Sequence, residues 1–289
     1  MRPERGDHRL PYLPNCSLLW AELPLTERPA AARAAGFDAI ELWWPWSQPV
    51  PPSADVDALV EAVGEAGVQL VALNLYSGDL AGPDSGVLSV PGRQQEFHDN
   101  LPVVADIARR LGVSGFNAPY GNRIDGVDPA EQDELAVANL LAAAKELDAV
   151  GGTVLVEPMS GPKPNPIRSA ADAAAVVERA RSAGAANVAV LCDLYHLATN
   201  GEDLDTVVDF VDLFAHVQIA DAPGRGQPGT GHLDLPRHLR ALEAAGYDGW
   251  VSLEYKPVGA TDESLAWLPV PRRAAGPSRP RIHYAGGAA

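Results

Sequence analysis

Eight short β-like runs alternate with amphipathic, helix-like segments along almost the whole chain. That alternation limits the fold more than any other property. The strand-like runs fall at roughly 13–17, 37–42, 69–74, 113–118, 152–157, 188–193, 214–219 and 249–254. The segments at 25–35, 54–66, 93–111, 130–149, 169–183, 203–212 and 236–245 carry helical apolar spacing. Several of these end in glycine, as in AAGF at 34–37, EAGV at 65–68, RLGV at 110–113 and AAGY at 244–247. Glycine takes the left-handed conformation that closes a helix without steric cost. Eight strand–helix units predict an α/β chain folded as a (β/α)8 TIM barrel. A doubly wound sheet is the alternative, but no G-x-G-x-x-G follows the first run.

In a closed parallel barrel the C-terminal strand ends meet on one rim, where such folds place their chemistry. Glu157 (GGTVLVEP), Asp193 (NVAVLCD), Gln218 (FAHVQIAD) and Glu254 (WVSLEY) each end such a run. Two glutamates, an aspartate and an amide oxygen make a hard-oxygen set that suits Mg2+ or Mn2+ rather than zinc. Burying several carboxylates together is costly unless a cation compensates them. Glu157 and Glu254 are also the candidate catalytic acid–base groups.

Other rim positions are candidates for holding a substrate. His196, three residues beyond Asp193, is placed to donate to a substrate oxygen. Arg225, in the glycine-rich DAPGRGQPGTG, offers a guanidinium fork for a carboxylate. Glu41 ends the second run, with metal contact and support of the ligands weighed equally. Asn74 and Asn117 end the third and fourth runs. His216 precedes Gln218 by two and shares its face, which suits an inward structural role. Trp43, Trp44 and Trp46 form an aromatic cluster that reads equally as core, pocket wall or subunit contact. Long connections at 43–55 and 74–93 follow strand ends and are expected on the same rim.

The formal charge of −16 and pI near 4.7 argue against a nucleic-acid partner, whose phosphates need a positive face. Four of the 22 basic residues and none of the 38 acidic ones follow Leu268, so the body carries −20 and the last 21 residues +4. Residues 1–268 are therefore expected to form one catalytic domain, and the Pro-, Arg- and Gly-rich 269–289 a disordered tail. Two cysteines, Cys16 and Cys192, make no disulfide framework and fit a reducing, cytoplasmic setting. The N-terminus has no apolar core of a signal peptide, and no apolar stretch is long enough to span a bilayer. A small-molecule substrate is the expected partner, and a homo-oligomer is left open.

Several stretches together resemble the hydroxypyruvate isomerase family within the xylose isomerase-like barrel superfamily. They are NCSLLWAELPLTERPAAARAAGFDAIEL, the loop pattern GD..AG..SG...PGRQQEF, VLVEP, CDLYH, HVQIADAPGRGQPGTG and GYDGWVSLEY. The likeness runs from about Asn15 to Trp267. It implies metal ligands at Glu157, Asp193, Gln218 and Glu254, substrate contacts at His196 and Arg225, and a metal-dependent aldose–ketose type isomerisation. Hydroxypyruvate and tartronate semialdehyde are the implied pair. The chain departs from the family pattern at Leu80, Ser85, Gln227, His232 and Trp46, all in the pocket lining and none in the metal set. Sugar or sugar-acid epimerases and isomerases, polyol dehydratases and a non-catalytic binding barrel are the alternatives on the same scaffold.

Overall fold

The computed structural model describes residues 8–276 and 280–284. Eight parallel strands form one sheet: β1 (Tyr12–Pro14), β2 (Ala39–Leu42), β3 (Gln69–Asn74), β4 (Gly115–Asn117), β5 (Thr153–Val156), β6 (Val188–Asp193), β7 (Phe214–Ile219) and β8 (Val251–Leu253). Their order is β1-β8-β7-β6-β5-β4-β3-β2. A parallel bridge from Asn15 to Glu41 and the bond from Cys16 N to the Glu41 carbonyl draw the first and second strands together. The result is the nearly closed (β/α)8 barrel that the alternation predicts.

Helices pack outside the ring: α1 (Arg28–Ala34), α2 (Ser53–Ala66), α3 (Gln94–Leu111), α4 (Pro129–Asp148), α5 (Ala170–Ser182), α6 (Leu194–Thr199), α7 (Leu235–Ala244) and α8 (Thr261–Ser264). Gly67 and Gly112 close α2 and α3 with φ of 65° and 73°, as the terminal glycines foretell. One expectation fails. Residues 203–212 do not form an α-helix; the connection uses the short α6 and then a 3-10 stretch, Val207–Leu213.

The two-residue period of each strand builds two apolar layers. Val188, Val190 and Cys192 of β6 face the helices, while Ala189 and Leu191 face the lumen. Leu13, Val71, Leu155 and Ala215 fill the lumen beside them. The next lumen-facing position after Leu155 is Glu157, after Leu191 it is Asp193, and after Ser252 it is Glu254. The alternation that buries the core thus lifts polar groups onto the rim.

The segment after Leu268 departs from the expected disordered tail, although residues 277–279 and 285–289 lie outside the described residues. Arg273 donates to the carbonyls of Ala35, Leu265 and Leu268. The Trp250 indole donates to Pro280 O at 2.7 Å, and Ile282 N donates to Ser114 Oγ at 3.1 Å. Ile282 is 2% exposed and packs against the lumen cluster at the N-terminal strand ends. The cause is steric. A β-carbon on Gly115 would fall 2.4 Å from Ile282 Cδ1, so glycine leaves the space that isoleucine fills. Ile282→Ala is expected to destabilise the protein by about 2–5 kcal/mol, the usual cost of such a truncation. Chemical denaturation checks this; a loss under about 0.5 kcal/mol would mean the plug carries no packing.

Candidate active site

The C-terminal rim gathers the predicted residues. Glu157, Asp193, Gln218 and Glu254 are buried, with exposures of 5%, 1%, 0% and 2%. One ligand atom from each of Glu157, Asp193, His196 and Glu254 lies within 4.8 Å of the others. The cavity above them measures about 280 Å3 and includes Asn74, Arg225 and Lys256 in its wall. Trp43 from the first long connection, and Leu80 and Ala81 from the second, also line it, so both connections lie on the active rim.

Asp193 and Glu157 are each hydrogen-bonded through one oxygen, and Glu254 through both. Asp193 caps α6: its Oδ1 accepts from Tyr195 N at 2.8 Å and His196 N at 3.3 Å. Its Oδ2 is buried without a hydrogen-bond partner among the described residues, as is Gln218 Oε1. Glu157 Oε2 accepts from Asn117 Nδ2 at 2.6 Å. Glu254 Oε1 accepts from the Trp43 indole at 2.5 Å and from Asn15 Nδ2 at 3.2 Å, and its Oε2 from Arg225 Nη2 at 2.6 Å. Buried acceptors without donors are costly. Two orphaned oxygens beside two more carboxylates fit a cation, which accepts lone pairs from all four residues. The cluster is therefore able to hold a metal ion.

His196 belongs to this cluster by distance but not by chemistry. Its Nδ1 lies 3.0 Å from Ser160 N and 2.6 Å from Ser160 Oγ. A backbone N–H can only donate, so Nδ1 is the acceptor. Burial holds the imidazole neutral by lowering its pKa to about 4, a shift that nearby Asp193 opposes. The ring proton therefore sits on Nε2, 3.5 Å from Asp193 Oδ2 and 3.7 Å from Glu157 Oε1. A protonated nitrogen is no metal ligand. It is a donor aimed at whatever oxygen enters the site.

Two expectations shift. Glu41, 1% exposed, lies below the cavity wall and bonds Asn15, His216 and Gln218 instead of facing a substrate. Asn117 supports Glu157, whereas Asn74 does line the cavity. Arg225 reaches the site but commits Nη2 to Glu254 and Nε to the Glu254 carbonyl, with its guanidinium 5.2 Å from the Tyr195 ring. Sequence reasoning missed Asn15, Ser160 and Lys256. Asn15 directly follows β1, but the run read from sequence, 13–17, puts it inside the strand, so the strand-end rule passes over it. Ser160 and Lys256 lie in connections and carried no such signal.

Burial, then the Asp193 charge, pushes the Glu157 carboxyl up to about 8 in the metal-free protein. Burial also raises Glu254, against the pull of Arg225. Below about pH 8 a proton on Glu157 competes with a cation. Metal affinity should therefore fall as pH drops from 8 to 6, with proton release on binding. The metal-free fold should lose stability as pH rises between about 4.5 and 8. There the folded state retains a proton that the unfolded chain has released. Calorimetric titration in buffers of different ionisation enthalpy measures both proton release and affinity. Flat affinity across this window would contradict the reading.

Comparison with known proteins accords with the barrel fold. Residues 29–269 match the family model "Xylose isomerase-like TIM barrel". The chain belongs to that family. It is 54% identical over 268 residues to a Streptomyces coelicolor protein named "Putative hydroxypyruvate isomerase", covering 90% of this chain and 96% of that one. It is 29% identical to the Escherichia coli protein named "Hydroxypyruvate isomerase", covering 90% and 98%. A solved structure described as "AP endonuclease, family 2" from Brucella melitensis superposes with a TM-score of 0.81 at 33% identity, covering 90% and 98%. Among the described residues, no helix is long and apolar enough to cross a membrane.

Proposed function

We propose that this protein is a divalent-metal-dependent isomerase that moves a carbonyl between adjacent carbons of a short hydroxy-oxo acid. Hydroxypyruvate and tartronate semialdehyde are the proposed pair, and Mg2+ or Mn2+ the proposed metal. One observation carries the reading: three buried carboxylates meet, with the buried Gln218 amide on the strand beside Asp193, under a small cavity that also holds a neutral imidazole donor and a guanidinium. The names of the relatives include hydroxypyruvate and support that member of the pair. A phosphodiester substrate is disfavoured by the charge of −16, whatever the fold shares with an endonuclease.

Glu157, Asp193, Gln218 and Glu254 would hold the cation. When bound, it supplies Lewis-acid stabilisation for negative charge developing on two neighbouring substrate oxygens. The chain's own groups do the rest. A carboxylate, Glu157 or Glu254, takes a proton from the hydroxymethyl carbon. The C–H electron pair becomes the double bond of an enediolate. A proton is then returned to the adjacent carbon, while a hydroxyl proton crosses to the former carbonyl oxygen. In the metal-free protein burial raises the basicity of both glutamates; a bound cation would pull it back, so the carboxylate that takes the proton would be the one left with an oxygen turned to the substrate. His196 Nε2–H holds a substrate oxygen, and Ser160 keeps its proton on that nitrogen. Trp43, Leu80 and Ala81 form an apolar part of the cavity wall.

Arg225 is the proposed carboxylate reader, with Nη1 as the amino group not engaged by Glu254. Arg225→Ala should raise KM for the acid about ten- to a hundredfold, the value of a charge-assisted buried contact. A neutral sugar of similar length should be affected far less. Equal losses on both would mean that Arg225 only shapes its loop.

A second reading, a sugar or sugar-acid epimerase, has one observation in its favour. A neighbouring cavity of about 410 Å3 shares Trp43, Leu80 and Ala81 with the site, which leaves room for a longer substrate. A panel of three- to six-carbon hydroxy-oxo acids and ketoses, assayed with Mg2+ or Mn2+, separates the two. A preference for neutral ketoses would favour the second.

A further inference from the structure

Gln218 is a neutral side chain whose two ends have nearly the same shape and opposite polarity. Turned one way it offers a cation a lone-pair oxygen. Turned the other way it offers N–H groups, which a cation repels. Nothing in glutamine itself selects between them.

The surroundings do select. Gln218 Nε2 donates to Glu41 Oε1, which leaves Gln218 Oε1 as the free end of the amide, buried and without a hydrogen-bond partner among the described residues, on the strand position paired with Asp193. Glu41 is itself held by two further side chains. Asn15 Nδ2 donates to Oε1 at 3.1 Å, and His216 Nε2 meets Oε2 at 2.6 Å. The orientation of Asn15 is fixed in turn, because its Oδ1 accepts from the backbone N–H of Ser17 at 2.9 Å. Glu41 and His216 are 1% and 0% exposed. Flipping the Gln218 amide would set its oxygen against a carboxylate oxygen with no water to separate them, a costly buried contact. The strand register supports the arrangement. A bulge opposite Val190 and Leu191 sets His216 beside Leu191 and Gln218 beside Asp193, so β7 sends both side chains into the lumen.

We propose that the buried Glu41–His216 pair is a positioning device that fixes the Gln218 amide with its oxygen toward the cation. It touches neither substrate nor metal. This rests on the reading of Gln218 as a metal ligand. It also goes past that reading, since it assigns metal affinity to a carboxylate outside the coordination set.

The test is a double-mutant cycle read as Mn2+ affinity of the metal-stripped full-length protein, by calorimetry or by the electron paramagnetic resonance of free Mn2+. Glu41→Leu should weaken binding about ten- to a hundredfold, as loss of a ligand's outer support does, and Gln218→Leu, which removes the ligand itself, at least as much. If Glu41 acts through that amide, the double variant should be no weaker than Gln218→Leu alone; a further loss would route its effect through Asn15, which bonds both Glu41 and Glu254. Glu41→Gln keeps a carbonyl acceptor for Gln218 and should retain affinity within a few fold. Glu41→Asp withdraws the acceptor while keeping its charge, and it carries the same cycle should Glu41→Leu not fold. Unchanged affinity in Gln218→Leu would remove Gln218 from the coordination set, and the proposal with it. Loss in Gln218→Leu with multiplicative loss in the double variant, or with none in the Glu41 variants, would overturn the proposal and leave the metal site standing.

Discussion

Glu254→Gln should lower turnover at least about a hundredfold at saturating metal while leaving the barrel folded. That is the lower end of what a positioned general base contributes. The substitution keeps size and shape. It removes the proton acceptor and the charge that faces Arg225 at 2.6 Å. Trp43 and Asn15 keep an oxygen to donate to, so the side chain stays in place. Glu157→Gln should act alike, with Asn117 still supplied with an acceptor. Circular dichroism checks the fold, and single-turnover kinetics at saturating Mn2+ checks the chemistry. If either variant turns over at near wild-type rate, that glutamate does not move the proton. The two losses need not multiply, since residues that act as one unit are strongly non-additive.

The same pair shows how much of the site can be read from residues alone. Glu157 and Glu254 stand out because each ends a run of lumen- and helix-facing apolar residues, and the period of a strand fixes which face the next side chain takes. Asp193 and Gln218 follow by the same rule; a ligand atom of Asp193 lies within 4.8 Å of one from each glutamate, and Gln218 is paired with Asp193 across neighbouring strands. The rule has no information on what lies beside a strand end. Glu41 satisfies it as well as Glu157 does, yet its side chain turns under the site toward His216, a contact between residues 175 positions apart. Ser160, which sets the tautomer of His196, sits in an irregular connection where no periodicity operates. Distances of this kind belong to the closed ring and not to any local stretch.

The ends of the chain teach the opposite lesson. A Pro-, Arg- and Gly-rich segment with no acidic residue reads as disorder by composition, and composition cannot register one well-placed side chain. Ile282 fills space that Gly115 leaves at the base of the barrel, and two backbone-directed bonds hold the segment there. Likewise 203–212 has helical apolar spacing but closes into a tighter 3-10 stretch after the short α6.

The central claim, a cation held by the four oxygen-donor residues and required for isomerisation, predicts the largest effect of all. Purified protein should bind about one Mn2+ or Mg2+ per chain. It should interconvert hydroxypyruvate and tartronate semialdehyde only when loaded. The direct measurement follows that interconversion in one sample through three stages: metal-replete, in excess EDTA, and after dialysis with Mn2+ restored. The account predicts activity, its complete loss and its recovery, with one metal equivalent bound at recovery. Undiminished turnover in excess chelator, or tight stoichiometric zinc in its place, would contradict it.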